Sequence, residues 1–295
     1  MTRPRTPAAA AAATRAAVAR NVGSRTSIAF VGAGKVGCSL ARFLAGGEGV
    51  GLAGFFSRSA ASAQDAAAFA GGRAFDEPGE LVAAADVVFV TTPDNAISQA
   101  AGELADCGVS LAGKLVAHCS GATSSEALAA CRKAGAAVAS CHPLYAVSSR
   151  FQSWQELGRA WFTLEGDDAA VTVLETLLDS LGARHARIDA AQKARYHASA
   201  VMASNLVVGL YDMAADELSR CGLARADAEA ALAALFLGNA EHIATDGVAA
   251  SLTGPAARGD EVTIGRHLAC LDGDDRAVYE LLTARCRQIA ERGRG

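Results

Sequence analysis

Between Ser27 and Leu44 three residue patterns follow one another without a gap: the apolar run Ser27-Ile-Ala-Phe-Val31, the glycine cluster Gly32-Ala-Gly34-Lys-Val-Gly37, and the helically spaced stretch from Cys38 to Leu44. A buried strand, a tight turn and the first turns of a helix satisfy all three at once. Gly32 allows the sharp turn, Gly34 lets a ligand approach the backbone, and Gly37 lets the helix pack closely on the strand. Free N–H groups at the start of such a helix attract an anion. Gly32, Ala33, Gly34, Lys35, Val36 and Gly37 are therefore read as a loop for the pyrophosphate of a dinucleotide.

The next apolar run, Leu52 to Phe56, leads into Ser57, Arg58 and Ser59, about 20 residues beyond the glycines. A site for NAD would place a carboxylate there for the ribose 2′-hydroxyl. None is present, and two hydroxyls with a forked guanidinium suit a 2′-phosphate instead. NADP(H) is thus favoured over NAD(H).

Strand and helix patterns then alternate. The strand 86–92 ends in Thr92-Pro93, another at Leu115–His118 ends in His118-Cys-Ser-Gly121, and a third at Ala137–Cys141 ends in His142-Pro-Leu144. Trp161–Glu165 and Ala186–Ile188 read as further strands. This alternation predicts an α/β chain with a doubly wound, parallel Rossmann sheet. Ligands bind outside the carboxyl ends of such strands, which assigns Thr92 and Pro93 to the cofactor and Ser120, Gly121 and His142 to a substrate. The pairs His118-Cys119 and Cys141-His142 supply a zinc-like donor set, but successive strand residues face opposite sides, so no metal site is expected.

From Asp189 the pattern is helical. Asp189 with Gln192 makes a capping box, and one helix of about 32 residues, about 48 Å long, is predicted to run to Cys221. Its middle, Ala198 to Leu210, is almost wholly apolar and should be buried on most sides, as between subunits. Lys193, Tyr196, His197 and Asn205 follow helical spacing near its start. The chain has only four lysines, and an ammonium can donate a proton where a guanidinium cannot. Lys193 or His197 is accordingly the candidate catalytic acid, with Tyr196 and Asn205 contacting substrate. Arg258, in the turn Leu252-Thr-Gly-Pro-Ala-Ala-Arg-Gly-Asp260, is a candidate for binding a substrate carboxylate.

Charge and composition narrow the class. The net charge is −4, and five arginines with no acid fall in residues 1–27, so the rest of the chain is more acidic than the whole. That argues against a nucleic-acid partner. Residues 1–25 read as a disordered Arg/Ala-rich extension, 26–188 as the NADP-binding domain, and 189–295 as a helical substrate and dimerisation domain. No membrane span is expected, since no stretch reaches about 18 strongly apolar residues. The eight cysteines lack CxxC spacing and point to a reducing cytoplasm.

The glycine loop, Thr92-Pro-Asp94, His118-Cys-Ser-Gly121, His142-Pro-Leu144, Lys193-Ala-Arg-Tyr-His197 with Ser204-Asn205, and Leu252 to Asp260 together resemble one family, from about Ser27 to the C-terminus. It is the Rossmann-like oxidoreductases with a C-terminal domain of unknown function 2520, more distantly similar to pyrroline-5-carboxylate reductase, prephenate dehydrogenase and the β-hydroxyacid dehydrogenases. The resemblance implies an all-helical C-terminal domain like that of 6-phosphogluconate dehydrogenase and a homodimer through those helices. It matches Lys193 to the catalytic lysine of the β-hydroxyacid dehydrogenases, with His197 where an asparagine would stand. The expected function is NADP(H)-dependent hydride transfer to or from a small carbonyl, imine or hydroxy-acid-like substrate; the alternative is a non-catalytic NADP(H)-binding sensor or partner protein.

Overall fold

Alternating apolar residues set the two faces of the sheet. In the strand Thr26–Val31 (β1), Ile28 and Phe30 point to one core, and Ala29 and Val31 to the other; all four are buried. The computed structural model describes residues 26–293; the predicted N-terminal extension, 1–25, lies outside the described residues.

The chain continues through α1 (Lys35–Leu44), β2 (Val50–Phe56), α2 (Ala60–Ala70), β3 (Arg73–Phe75), α3 (Pro78–Ala84), β4 (Val87–Val90), α4 (Ile97–Ala105), β5 (Leu115–His118), α5 (Ala129–Lys133) and β6 (Ala137–Leu144). It then forms β7 (Trp161–Gly166), α6 (Asp168–Asp179), β8 (Arg184–Arg187) and α7 (Lys193–Met202). The eight strands make one sheet in the order β3-β2-β1-β4-β5-β6-β7-β8. Phe30 stacks on Phe55 and Phe89, both at 5.4 Å, and anchors the centre of one face.

One pair departs from the predicted all-parallel sheet: β7 runs antiparallel to β6. The segment 145–160 between them has a 3-10 turn, Ser153–Arg159, but no crossover helix, so the chain re-enters the sheet from the end at which it left. The strand order reverses between β1 and β4, and a crevice opens beyond their carboxyl ends.

The chain divides into two compact units between Val201 and Met202. Lys193, Tyr196 and His197 therefore belong with the sheet, whereas the sequence reading starts the second domain at 189. The second unit holds α8 (Asn205–Arg220), α9 (Arg225–Asp246), α10 (Val248–Ser251), α11 (Gly254–Arg258), α12 (Glu261–Cys270) and α13 (Gly273–Arg292), and is all-helical. Tyr211 of α8 packs edge-on against Phe236 of α9 at 5.4 Å.

The single long helix expected from Asp189 to Cys221 is not formed. It breaks at residues 203–204, where Ser204 leaves helical geometry (φ −132°, ψ −85°). Serine and asparagine side chains compete with the helix for backbone hydrogen bonds, and Ser204 and Asn205 stand side by side there. The expected burial is also absent within this chain: Met202, Leu206 and Val208 are 65%, 58% and 70% exposed. The stretch Ala190–Arg220 is, by length and composition alone, apolar enough to cross a membrane.

Candidate functional site

The glycine loop follows β1 directly, and its geometry explains each glycine. Gly32 has φ +104°, a conformation L side chains rarely adopt, and its N–H donates to Phe56 O at 2.8 Å. A Cβ on Gly37 would lie 2.5 Å from both Gly32 O and Thr91 Oγ1, so helix and loop could not close. Gly34, by contrast, has open space around it and is exposed at the head of α1, where it serves as the N-cap residue.

A cavity of about 300 Å³ opens beside this loop. Gly32, Ala33 and Gly34 form one wall, Ser57 and Arg58 a second, and Thr92 and Pro93 a third. Lys35, also exposed, and Val36 follow in the first turn of α1 and do not line it. Ser59 is spent elsewhere: its side chain caps α2 by accepting from Ser62 N at 3.3 Å. Glu103 lines the cavity too, its carboxylate accepting from Gln99 Nε2 at 2.9 Å. Among the described residues, Thr92 Oγ1 is buried without a protein partner. An open glycine cradle, a basic wall and an unpartnered hydroxyl fit a phosphorylated dinucleotide.

The second constellation lies at the ends of β5 and β6 and on α7. Lys193 is 2% exposed, and its Nζ donates to Ser120 O at 2.8 Å and Ser140 Oγ at 2.7 Å. Burial lowers its pKa, while the carboxylate of Glu165 pulls the other way. Two of its three N–H donors are thus committed, one to the loop after β5 and one to β6.

Sequence reasoning missed much of that loop's scaffold. His118 accepts from Ser120 N through Nδ1 (3.1 Å), so its Nε2 carries the proton and donates to Ser124 O (3.0 Å). Burial drops its pKa to about 4, which keeps the ring neutral. Ser120 Oγ donates to Asp94 Oδ2 (2.8 Å) and accepts from Ala122 N and Thr123 N, leaving it little capacity for a ligand. Glu165 is buried and accepts from Ser125 N at 2.6 Å and Ser125 Oγ at 2.9 Å. A glutamate on a strand face gives no sequence signal for such a role, because its partner is 40 positions away.

Gly121 sits between two imidazoles. A Cβ there would come within 2.8 Å of His197 Nδ1 and 2.9 Å of His142 Nε2. His142 Nδ1 shares a 2.6 Å hydrogen bond with Tyr196 Oη, and the two rings meet edge to face at 5.6 Å. His197 Nδ1 is buried and has no protein partner among the described residues. Burial, reinforced by the neighbouring Lys193, lowers the His142 pKa to about 4; burial raises that of Tyr196. Both groups are therefore neutral near pH 7, one a proton carrier and the other an acid. The Cys141 thiol is pushed up to about 12 by burial and is no nucleophile.

Asn205 and Arg258 fall in the second unit. Asn205 opens α8, with Ser204 Oγ donating to its Oδ1 at 3.1 Å, and Arg258 closes α11 before Gly259. Asp260 caps α12 by accepting from Thr263 N.

Residues 12–143 match the family of Rossmann-like domains, and residues 160–286 match a domain of unknown function, DUF2520. No curated protein matches the sequence. Among solved structures, protein TM1727 from Thermotoga maritima is 28% identical with a TM-score of 0.71, over 91% of this chain and 100% of that one. A 1-pyrroline-5-carboxylate reductase from Streptococcus pyogenes is 12% identical at TM-score 0.61, covering 90% of this chain and 99% of its own. A reductive aminase from Aspergillus terreus, in complex with NADPH and ethyl-5-oxohexanoate, is 17% identical at TM-score 0.60, covering 90% and 94%. At such identities the last two likenesses speak for the fold. The chain thus joins a Rossmann-like domain to a DUF2520 domain, the arrangement its motifs foretold.

Proposed function

We propose that this protein is an NADP(H)-dependent oxidoreductase acting on a small carbonyl, imine or hydroxy-acid-like substrate. The observation that carries the proposal is the cavity between the glycine loop and Ser57-Arg58, at the point where strand order reverses. Structures of the same fold come from a pyrroline carboxylate reductase and a reductive aminase holding NADPH, which supports a nicotinamide cofactor.

Gly32, Gly34 and the head of α1 would hold the pyrophosphate, and Ser57 and Arg58 a 2′-phosphate. A bound nicotinamide supplies or accepts the hydride. The chain's own task is then to orient the substrate and move one proton. Lys193 keeps the loop of Ser120 and Gly121 in place, so the proton falls to Tyr196 and the histidines. Tyr196 Oη gives its proton to the reduced substrate atom, His142 Nδ1 returns one to the phenol oxygen, and water recharges His142 at Nε2. His197, across Gly121, borders the same space.

The same reading includes a homodimer, supported by the apolar side chains that α7 and α8 leave exposed. A reducing, cytoplasmic setting is supported by eight cysteines that are all free thiols.

Fluorescence titration with NADPH and NADH tests the cofactor. NADPH binds more tightly, and Arg58→Ala removes most of that preference, about tenfold or more for a lost charge-assisted contact. Equal affinity for both nucleotides would refute the Arg58 assignment. A screen of small imines and ketones at 340 nm then separates an enzyme from a sensor.

A further inference from the structure

The segment between β6 and β7 carries an arginine whose role no motif announces. Arg150 spends its guanidinium on four protein acceptors. Nε donates to Ala33 O at 2.9 Å and to Cys38 Sγ at 3.3 Å, Nη2 donates to Ser62 O at 2.6 Å, and Nη1 pairs with Asp65 at 3.2 Å. Its plane also lies over the Phe151 ring at 4.8 Å. From the other side, Ser39 Oγ of α1 donates to Ser149 O at 3.2 Å. The glycine loop, α1, α2 and the 145–160 segment are thus tied at one point. A guanidinium is planar and presents its donors in a fixed fork, so it sets the relative positions of whatever accepts from it.

The consequence falls on the Ala33–Gly34 peptide. A trans peptide is planar, with its C=O and N–H pointing opposite ways. Holding Ala33 O towards Arg150 therefore turns the Gly34 N–H away from it. Ala33 and Gly34 line the cavity beside the loop, and Arg150 does not. We propose that Arg150 is a positioning residue for the phosphate-binding loop: it fixes the Ala33–Gly34 peptide so that the Gly34 amide is offered to the pyrophosphate of the bound dinucleotide. It does so without lining the cavity, its guanidinium being turned to Ala33, Cys38, Ser62 and Asp65. The inference rests on the dinucleotide reading given above.

The test uses the full chain with NADPH as the probe. Wild type, Arg150→Met and Arg150→Lys are checked for folding by circular dichroism, titrated by fluorescence, and compared by phosphorus NMR of bound NADPH. Arg150→Met binds NADPH about tenfold more weakly, and Arg150→Lys, which keeps the charge but not the fork, falls between. In the variants the diphosphate resonances move back towards those of free NADPH, while the 2′-phosphate resonance stays where wild type has it. A general loss of structure would move all the phosphorus signals together, and that result overturns the proposal. So does wild-type affinity in both variants. Should wild type itself bind neither NADPH nor NADH, the dinucleotide reading fails first and the role of Arg150 with it.

Discussion

One buried and one half-buried histidine make this protein's stability depend on pH. His118 and His142 are both held near a pKa of about 4, chiefly by burial, against an ordinary value of 6.5. Their folded-state pKa values are depressed, so the unfolded chain binds protons that the native one refuses. Stability is therefore complete above pH 6.5 and falls as the pH drops from 6.5 towards 4. Each ring contributes up to about 3 kcal/mol to that fall. Urea unfolding at pH 7 and pH 4.5 checks this: the midpoint is lower at pH 4.5, and His118→Gln narrows the difference. An unchanged midpoint would show that neither ring is kept neutral. The sequence offered both histidines as neighbours of cysteines, hence the passing resemblance to a zinc set. Their uses differ: His118 is spent on the backbone of the loop that follows it, around Ser120, and His142 on Tyr196, a contact between β6 and α7.

At the scale of elements, strand β1, the glycine loop and α1 behave as one unit, and the glycines within it differ sharply. Gly37→Ala drives a methyl to 2.5 Å from Gly32 O and Thr91 Oγ1, against backbone that cannot yield cheaply. It costs about 1–3 kcal/mol and lowers Tm by several degrees. Gly34→Ala meets nothing within 4 Å, so Tm stays within error while NADPH affinity drops as the methyl enters the phosphate's space. Calorimetry and fluorescence titration on the two variants check the contrast; a Tm loss in Gly34→Ala equal to that in Gly37→Ala would contradict it. Elements with strong local patterns were legible in sequence, down to the turn from the glycine loop into α1. The break at 203–204 was not, because apolar periodicity runs through it uninterrupted and only the local competition of Ser204 and Asn205 marks it.

For the molecule as a whole, the apolar surface left uncovered is the outstanding feature. Besides Met202, Leu206 and Val208, the second unit exposes Leu235, Leu237 and Leu281, and its helices line an open, largely apolar hollow of about 760 Å³ bordered by Val207, Leu210, Leu232 and Phe236. Light scattering coupled to gel filtration should give twice the 29.9 kDa chain mass, and Val208→Glu with Leu235→Glu should shift it to the single mass. A wild-type monomer would contradict the homodimer. By itself the sequence determined the alternation of strand and helix, the position of the glycine loop, and the absence of an acid after β2. These are local patterns, written in periods of 2 and 3.6 residues and in fixed spacings. Only the tertiary structure decided that Lys193 is spent on Ser120 and Ser140, that Tyr196 meets His142, and that Arg150 reaches Ala33, 117 positions away. Such pairings form when the sheet's order brings distant ends together, and sequence spacing carries no trace of that order.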